Sequence, residues 1–544
     1  MAIVSISEPR DSTLWIEPGD GLARSRSPTG GWIALTISNA MVTIPSASSV
    51  RYNRGQFYMP RRRAILTLLS AIVVLRSAVF VFAAQSQFDS DQAITGLMAK
   101  HLSELRAFPV FWYGQTYMLG VEAWLAAPVM VLLGPTVAAL KLPLLAINVA
   151  IVWLLFEVLT RDGVGDGPAA VASLFFALAA PITSAHFVTA NGGNVEPLLY
   201  VLLLWLLRER AIWMGLVLGI GFLNREFTIY GLVGLFVIDA CAGRLLARAA
   251  ARRYGLAVAV AVAVWVVFAA LHRISSAAGP GTSVADLHSG LSANNLLQIA
   301  DRLCMDWRAI AGGFGRLFTI HLPYLFGLER QPLTDFGIES RQWQGLSGSP
   351  WLLVLVIGLP IARLLMIRRS AGAATAYLVV VAAASLAGYA IGRCGLIDFS
   401  TMRYELLSVI GAAGLGAWYL QVERIRPLRV LWTAGCALLF AISVVAHVRL
   451  LHEYVTRPPR SLKQELIHAL DARNVRYGYT DYWVAYYVDF MTRERIILAP
   501  EDIVRVRLYN RLIDARRSEA VRITRSACAG GDRITSAFWL CRMP

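Results

Sequence analysis

Long apolar runs alternate with short polar stretches from residue 64 to residue 449. A helix needs about 20 apolar residues to cross the hydrocarbon of a bilayer. By that measure the pattern predicts about eleven spans, over 64–84, 137–160, 168–187, 194–207, 211–223, 227–243, 254–272, 350–367, 372–392, 404–420 and 428–449. Segments such as 194–207 and 211–223 are short and require tilt or local thinning of the bilayer. Residues 117–134 are apolar too, but Glu122 and Pro128 interrupt them, and a full crossing there would invert every later loop; the segment reads as a juxtamembrane or re-entrant element. Residues 1–58 are rich in Ser, Pro, Gly and Arg without a sustained apolar period, and read as a disordered tail or as untranslated sequence before a start at Met59. Two further polar regions stand out. The loop 273–348 carries a helical piece at 293–311, and the tail 451–544 holds runs at 477–487 and 496–498 that read as short strands of a small α/β domain.

Composition agrees with the pattern. The 544 residues are 57% hydrophobic and 16% charged, against roughly 45–50% and 25% for soluble globular chains. An all-α polytopic membrane protein is the fold class this implies. The net charge of +16 does not mark a nucleic-acid binder, because the arginines fall between spans. Arg61–Arg63, Arg208 and Arg210, the basic residues of 244–253, Arg368 and Arg369, and those of 424–429 all satisfy one topology under the positive-inside rule. In that topology the N-terminus is cytoplasmic, and the loops 85–136 and 273–348 and the C-terminal tail lie outside. The six cysteines form no Cys-x-x-Cys pair or Cys/His cluster, so structural zinc is not indicated. Cys528 and Cys541 are open to two readings, a disulfide in an extracytoplasmic tail or two free thiols.

Four outer loops bring ionisable and polar side chains to one membrane face, where charge is costly and usually functional. They supply Asp89, Asp91, Trp112, Tyr113, Gln115 and Glu122; Asn191, Asn194 and Glu196; Arg225 and Glu226; and Arg403 and Tyr404. Each has a plainer role available. An aspartate before 92–105 caps a helix, although capping uses one carboxylate and the chain supplies two. Arg225 and Glu226 could satisfy each other as an ion pair, Glu122 could cap a helix, and Asn191–Asn194 with two glycines between is a turn.

The stretch FDSDQAITGLMAKHL, followed by FPVFWYGQTYMLGVEAWLAAPVMVLLGPTVAALKLP, resembles the first loop of GT-C glycosyltransferases, such as bacterial relatives of protein O-mannosyltransferases and aminoarabinose transferases. The resemblance continues through Leu223–Phe227 and Met402–Tyr404 and covers about 64–450. Gln92, Glu405 and Ser408 depart from the family's usual Glu, Leu and Pro. The likeness implies transfer of a sugar from a polyprenyl-phosphate donor at the outer face of a bacterial inner membrane, with Asp91 as general base and Asp89 beside it. It further implies Arg225 and Arg403 at the donor phosphate, and Trp112 and Tyr113 against a sugar. Partners would be the lipid-linked donor, membrane lipids and a lipid, polysaccharide or protein acceptor, with no nucleic acid. A divalent metal is compatible but not indicated. No Gly-rich phosphate loop appears, which favours a lipid-linked over a nucleotide sugar. Two other classes compete: a transporter or flippase for lipid-linked glycans, and an inactive scaffold of the same fold. Transporters place ionisable groups near mid-membrane and repeat internally; neither feature is seen here.

Overall fold

The computed structural model describes residues 2–4, 14–16, 22–26, 32–36, 47–83, 87–115, 118–274, 306–328, 350–367, 372–393 and 399–542. The chain divides into two compact units, Met1–Arg63 and Ala64–Pro544. In the first, short strands β1 (Ala2–Val4), β2 (Leu14–Ile16), β3 (Leu22–Arg26) and β4 (Trp32–Thr36) pair as an antiparallel meander.

The second unit is mostly helical. Arg61–Ala83, Val137–Arg161, Arg248–His272, Ala373–Gly392 and Arg426–Thr456 are long and apolar enough to cross a membrane by length and composition. Shorter apolar helices accompany them, including Asp166–Ala177, Glu196–Leu207, Ala211–Asn224 and Ser408–Val422. The span anticipated over 168–187 is broken, since Pro181 opens a separate helix, Pro181–His186. Val121–Leu133 forms a 13-residue helix. At 1.5 Å per residue it reaches about 20 Å, short of the roughly 30 Å hydrocarbon core. Of the helical piece anticipated at 293–311, residues 293–305 lie outside the described residues, and a helix occupies Trp307–Arg316.

Small residues set the helix packing. A Cβ on Gly215 would sit 2.5 Å from the Ala257 carbonyl oxygen, and one on Gly219 would sit 2.9 Å from Val264 Cβ. That spacing lets Ala211–Asn224 lie directly on Arg248–Ile274, as small-xxx-small pairs do where no hydrophobic effect drives helices together. Arg76, buried in the first long helix, donates to the Phe176 carbonyl and to Asn148 Oδ1, at 2.6 and 2.7 Å.

The last long helix runs to Thr456. Beyond it comes a small α/β layer. Its sheet contains β5 (Tyr477–Thr480), β6 (Ile497–Pro500), β7 (Val521–Thr524), β8 (Asp532–Arg533) and β9 (Trp539–Arg542), in the order β6-β5-β7-β9-β8. β5 is parallel to both β6 and β7, while β9 is antiparallel to β7 and β8. The strand anticipated over 477–487 stops at Thr480. Asp481 accepts from the Trp483 amide, capping a helix over Tyr482–Met491, so local capping outweighs the β propensity of the aromatic run. Cys528 and Cys541 are joined by a disulfide, with Cα atoms 6.2 Å apart.

Candidate functional site

The helix Ser90–Ser103 follows the first long helix and packs on both Val121–Leu133 and Tyr482–Met491. Its start separates the two aspartates. Asp89 is the N-cap, accepting from the Gln92 amide at 2.9 Å. Gln92 reinforces the cap, its Nε2 donating to Asp89 Oδ1 at 3.3 Å and to the Gln87 carbonyl at 2.8 Å. Asp89 is buried; burial and the neighbouring Asp91 charge push its carboxyl up to about 6. Asp91, two residues on, is partly exposed and lines a cavity of about 380 Å³.

Four separate loops and the tail build that cavity. The first loop contributes Asp91, Trp112, Gln115 and Met118. An isolated antiparallel bridge pairs Phe111 with Leu119, and Trp112 is fixed by Nε1 donating to Thr95 Oγ1 at 3.0 Å. Leu119 then donates its amide to the Leu223 carbonyl at 3.0 Å. That bond brings in the Asn224–Glu226 corner, where Arg225 leaves the helix with extended φ of −156°. Asn191 enters from the Gly192–Gly193 turn, where both glycines have positive φ. Arg403 and Tyr404 come from the 3-10 turn Phe399–Glu405, and Arg505 from the tail.

The polar inventory of the wall is uneven. Arg225, Arg403 and Arg505 line it, and among the described residues none has a carboxylate within ion-pair distance. In particular Arg225 does not pair with Glu226, which is exposed and also lines the cavity. Each guanidinium rests instead on an aromatic ring. Arg225 and Arg403 both lie over Tyr404, at 5.6 and 5.2 Å from its centroid, and Arg505 lies 5.1 Å from that of Trp112. The buried Nε of all three lacks a hydrogen-bond partner, as do Asn191 Oδ1 and Gln115 Oε1. Buried polar atoms are rarely left unpaired. Several of them converging on one cavity make a site shaped for a polar, anionic ligand.

Other residues picked from the sequence stand behind the wall. Tyr113 Oη contacts His101 Nδ1 at 2.9 Å. Glu122 accepts from the Gly192 and Gly193 amides, each at 2.8 Å, and so holds the turn that carries Asn191. Asn194 Nδ2 donates to the His186 carbonyl at 3.4 Å, and Glu196 Oε2 accepts from the Val195 amide at 3.1 Å. Glu405 bonds His321 Nδ1 at 2.5 Å, tying the Arg403 turn to the segment after Trp307–Arg316.

Sequence reasoning missed Tyr230, Tyr389 and Arg505 on the wall, and Tyr482, whose hydroxyl donates to Asp91 Oδ1 at 2.5 Å. The tyrosines carry no motif. Arg505 lies in a tail rich in arginine, with nothing to single it out.

No known protein family and no curated protein matches the chain. Among solved structures it is similar to the Archaeoglobus fulgidus oligosaccharyltransferase in its apo form, with 12% identity and a TM-score of 0.46 over 80% of this chain. The chain spans 64% of that protein's length. The archaeal oligosaccharyltransferase AglB of the same organism, in complex with an inhibitory peptide and a dolichol-phosphate, gives 12% identity and a TM-score of 0.49, covering 86% of this chain and 70% of that one. ArnT from Cupriavidus metallidurans, bound to undecaprenyl phosphate, gives 14% identity and 0.48, covering 87% and 97%.

Proposed function

We propose that this protein is a GT-C-type glycosyltransferase that moves a hexosyl or pentosyl unit from a polyprenyl-phosphate donor to an acceptor hydroxyl. In this reading it is a protein of about eleven spans in a bacterial inner membrane, with its N-terminus cytoplasmic and its site and tail on the outer face. The observation that carries the proposal is the pairing, in one cavity, of the carboxylate of Asp91 with guanidiniums that lack a carboxylate of their own.

The division of labour follows from the chemistry. Asp91 takes the proton of the acceptor hydroxyl, and the oxygen attacks the anomeric carbon. The bond from that carbon to the phosphate oxygen breaks, and its electron pair leaves with the lipid phosphate. Arg225 and Arg403, both lying over Tyr404 and both lining the cavity, neutralise the phosphate charge. Asn191 and Gln115 offer amide oxygens to sugar hydroxyls, and Trp112 offers a ring face. Glycan and lipid profiling of a deletion strain carrying Asp91→Asn tests the proposal. Loss of a glycan product at normal protein level is the expected result; an unchanged profile refutes it.

A further inference from the structure

The tail meets the cavity through the carboxyl ends of its parallel strands, the edge at which open α/β sheets gather ligand groups. β5 ends at Thr480, and two residues later comes Tyr482. β6 ends at Pro500, and the loop after it delivers Arg505. Both are held firmly. Tyr482 is 2% exposed and packs edge-on against Trp483 and Tyr486, with centroids 5.1 and 5.4 Å away. The Arg505 and Val506 amides both donate to Tyr486 Oη, at 2.6 and 3.0 Å. Arg505 Nη1 reaches the Gly114 carbonyl at 3.5 Å. Burial and the Asp91 charge hold the Tyr482 phenol above its ordinary range, so this hydroxyl is the donor in its bond to the carboxylate.

We propose that the C-terminal domain completes the site, Tyr482 positioning the Asp91 carboxylate and Arg505 supplying a third cation to the donor phosphate. The inference rests on the glycosyltransferase reading above. Tyr482 occupies Oδ1, which leaves Oδ2 to receive the acceptor proton. Arg505, standing on Trp112, joins Arg225 and Arg403 around the charge that the departing phosphate develops. Without the tail the cavity loses one of the three guanidiniums that line it, and Asp91 loses the Tyr482 hydroxyl.

The test uses the full-length detergent-purified protein, with farnesyl phosphate as the binding probe, and product profiling in the deletion strain. Arg505→Gln should weaken farnesyl phosphate binding by roughly 10- to 100-fold, and Arg505→Lys, which keeps charge and loses the fork, should fall between. Tyr482→Phe should leave binding within about twofold yet lower product at least tenfold. Binding by Arg505→Gln equal to that of the unchanged protein overturns the role of Arg505. Product at the unchanged level in Tyr482→Phe overturns that of Tyr482, and so does a parallel loss of binding and product. If Arg505→Gln melts early, Arg505→Lys decides alone, and unchanged affinity counts against the proposal. Asp91→Asn separates the two claims. If it keeps its product, the glycosyltransferase reading fails; if it loses product while both tail variants behave as the unchanged protein, only the role of the tail fails.

Discussion

Tyr482 donates its hydroxyl to Asp91 Oδ1 across 2.5 Å, although the two residues stand 391 positions apart in the chain. Asp89, two residues from Asp91, turns its carboxylate to the helix backbone instead. The first aspartate shapes the helix and the second faces the cavity. Asp91→Asn should therefore lower glycan product at least 100-fold, the scale of a lost general base. Asp89→Asn keeps an oxygen for the Gln92 amide and should cost less than tenfold. Parallel product profiling of the two variants checks the split.

The buried Asp89 gives a pH signature of its own. Its carboxyl is pushed up to about 6 by burial and by Asp91, whereas an unfolded aspartate ionises near 4. Between those values the unfolded chain binds fewer protons than the folded one, so stability falls as pH rises from about 4 to about 6, by up to about 3 kcal/mol. Asp89→Asn should remove that decline. Thermal melts of the purified protein at pH 4, 5, 6 and 7 should show the variant gaining on the parent toward neutral pH.

Much of this arrangement was legible in the sequence, for identifiable reasons. Membrane helices announce themselves by length and apolarity, and five of the expected spans recur as long apolar helices. Asp91, Trp112, Gln115, Asn191, Arg225, Glu226, Arg403 and Tyr404 were singled out as polar groups at span ends, and the structure brings all eight to one cavity. What escaped was anything decided by tertiary contact. Tyr113, Glu122 and Asn194 share the composition of the wall but spend polar atoms on backbone or on His101, and Glu196 turns one oxygen to the Val195 amide. Tyr482 and Arg505 sit in a segment whose docking no local pattern records. A tyrosine run followed by Asp-Tyr-Trp also looked like a strand until the Asp481 cap turned it into a helix.

The Gly192–Gly193 turn should tolerate no side chain. Gly192 has φ of 87°, and a Cβ there would lie 2.4 Å from Met118 Cε, itself part of the cavity wall. Gly192→Ala combines a left-handed backbone, which costs an alanine about 1 kcal/mol or more, with a displaced Met118. The expected outcome is a modest fall in melting temperature and a tenfold or greater loss of product as Asn191 shifts. Glu122→Gln probes the same turn from behind, because one amide oxygen cannot accept both glycine N–H bonds, at 2.8 Å each, as the carboxylate does. It should lower product less than Gly192→Ala does.

Glu494 fastens the tail to the first loop. Its carboxylate takes donors from Lys100 at 2.5 Å, Arg106 at 2.7 Å and Tyr509 at 2.9 Å, and contacts His101 Nε2 at 3.0 Å. The backbone at Arg493 and Glu494 adopts positive φ, 54° and 64°, strain that this hub holds in place. Although burial alone would raise it, the Glu494 carboxyl is held well below the usual range by the bond and charge of His101 and by Lys100. The sign follows directly. Below about pH 4.3 the unfolded glutamate is protonated while the folded one is not, so this stabilisation is present at neutral pH and lost as pH falls. Glu494→Gln removes the tail's anion from Lys100, whose side chain is 6% exposed, and leaves that ammonium with Glu104 of its own helix at 2.9 Å. Hydrogen exchange should accelerate across 477–514 in the variant at pH 7, product should fall with it, and acidification should destabilise it less steeply than the parent. Unchanged exchange in that segment would show that the tail is fastened elsewhere.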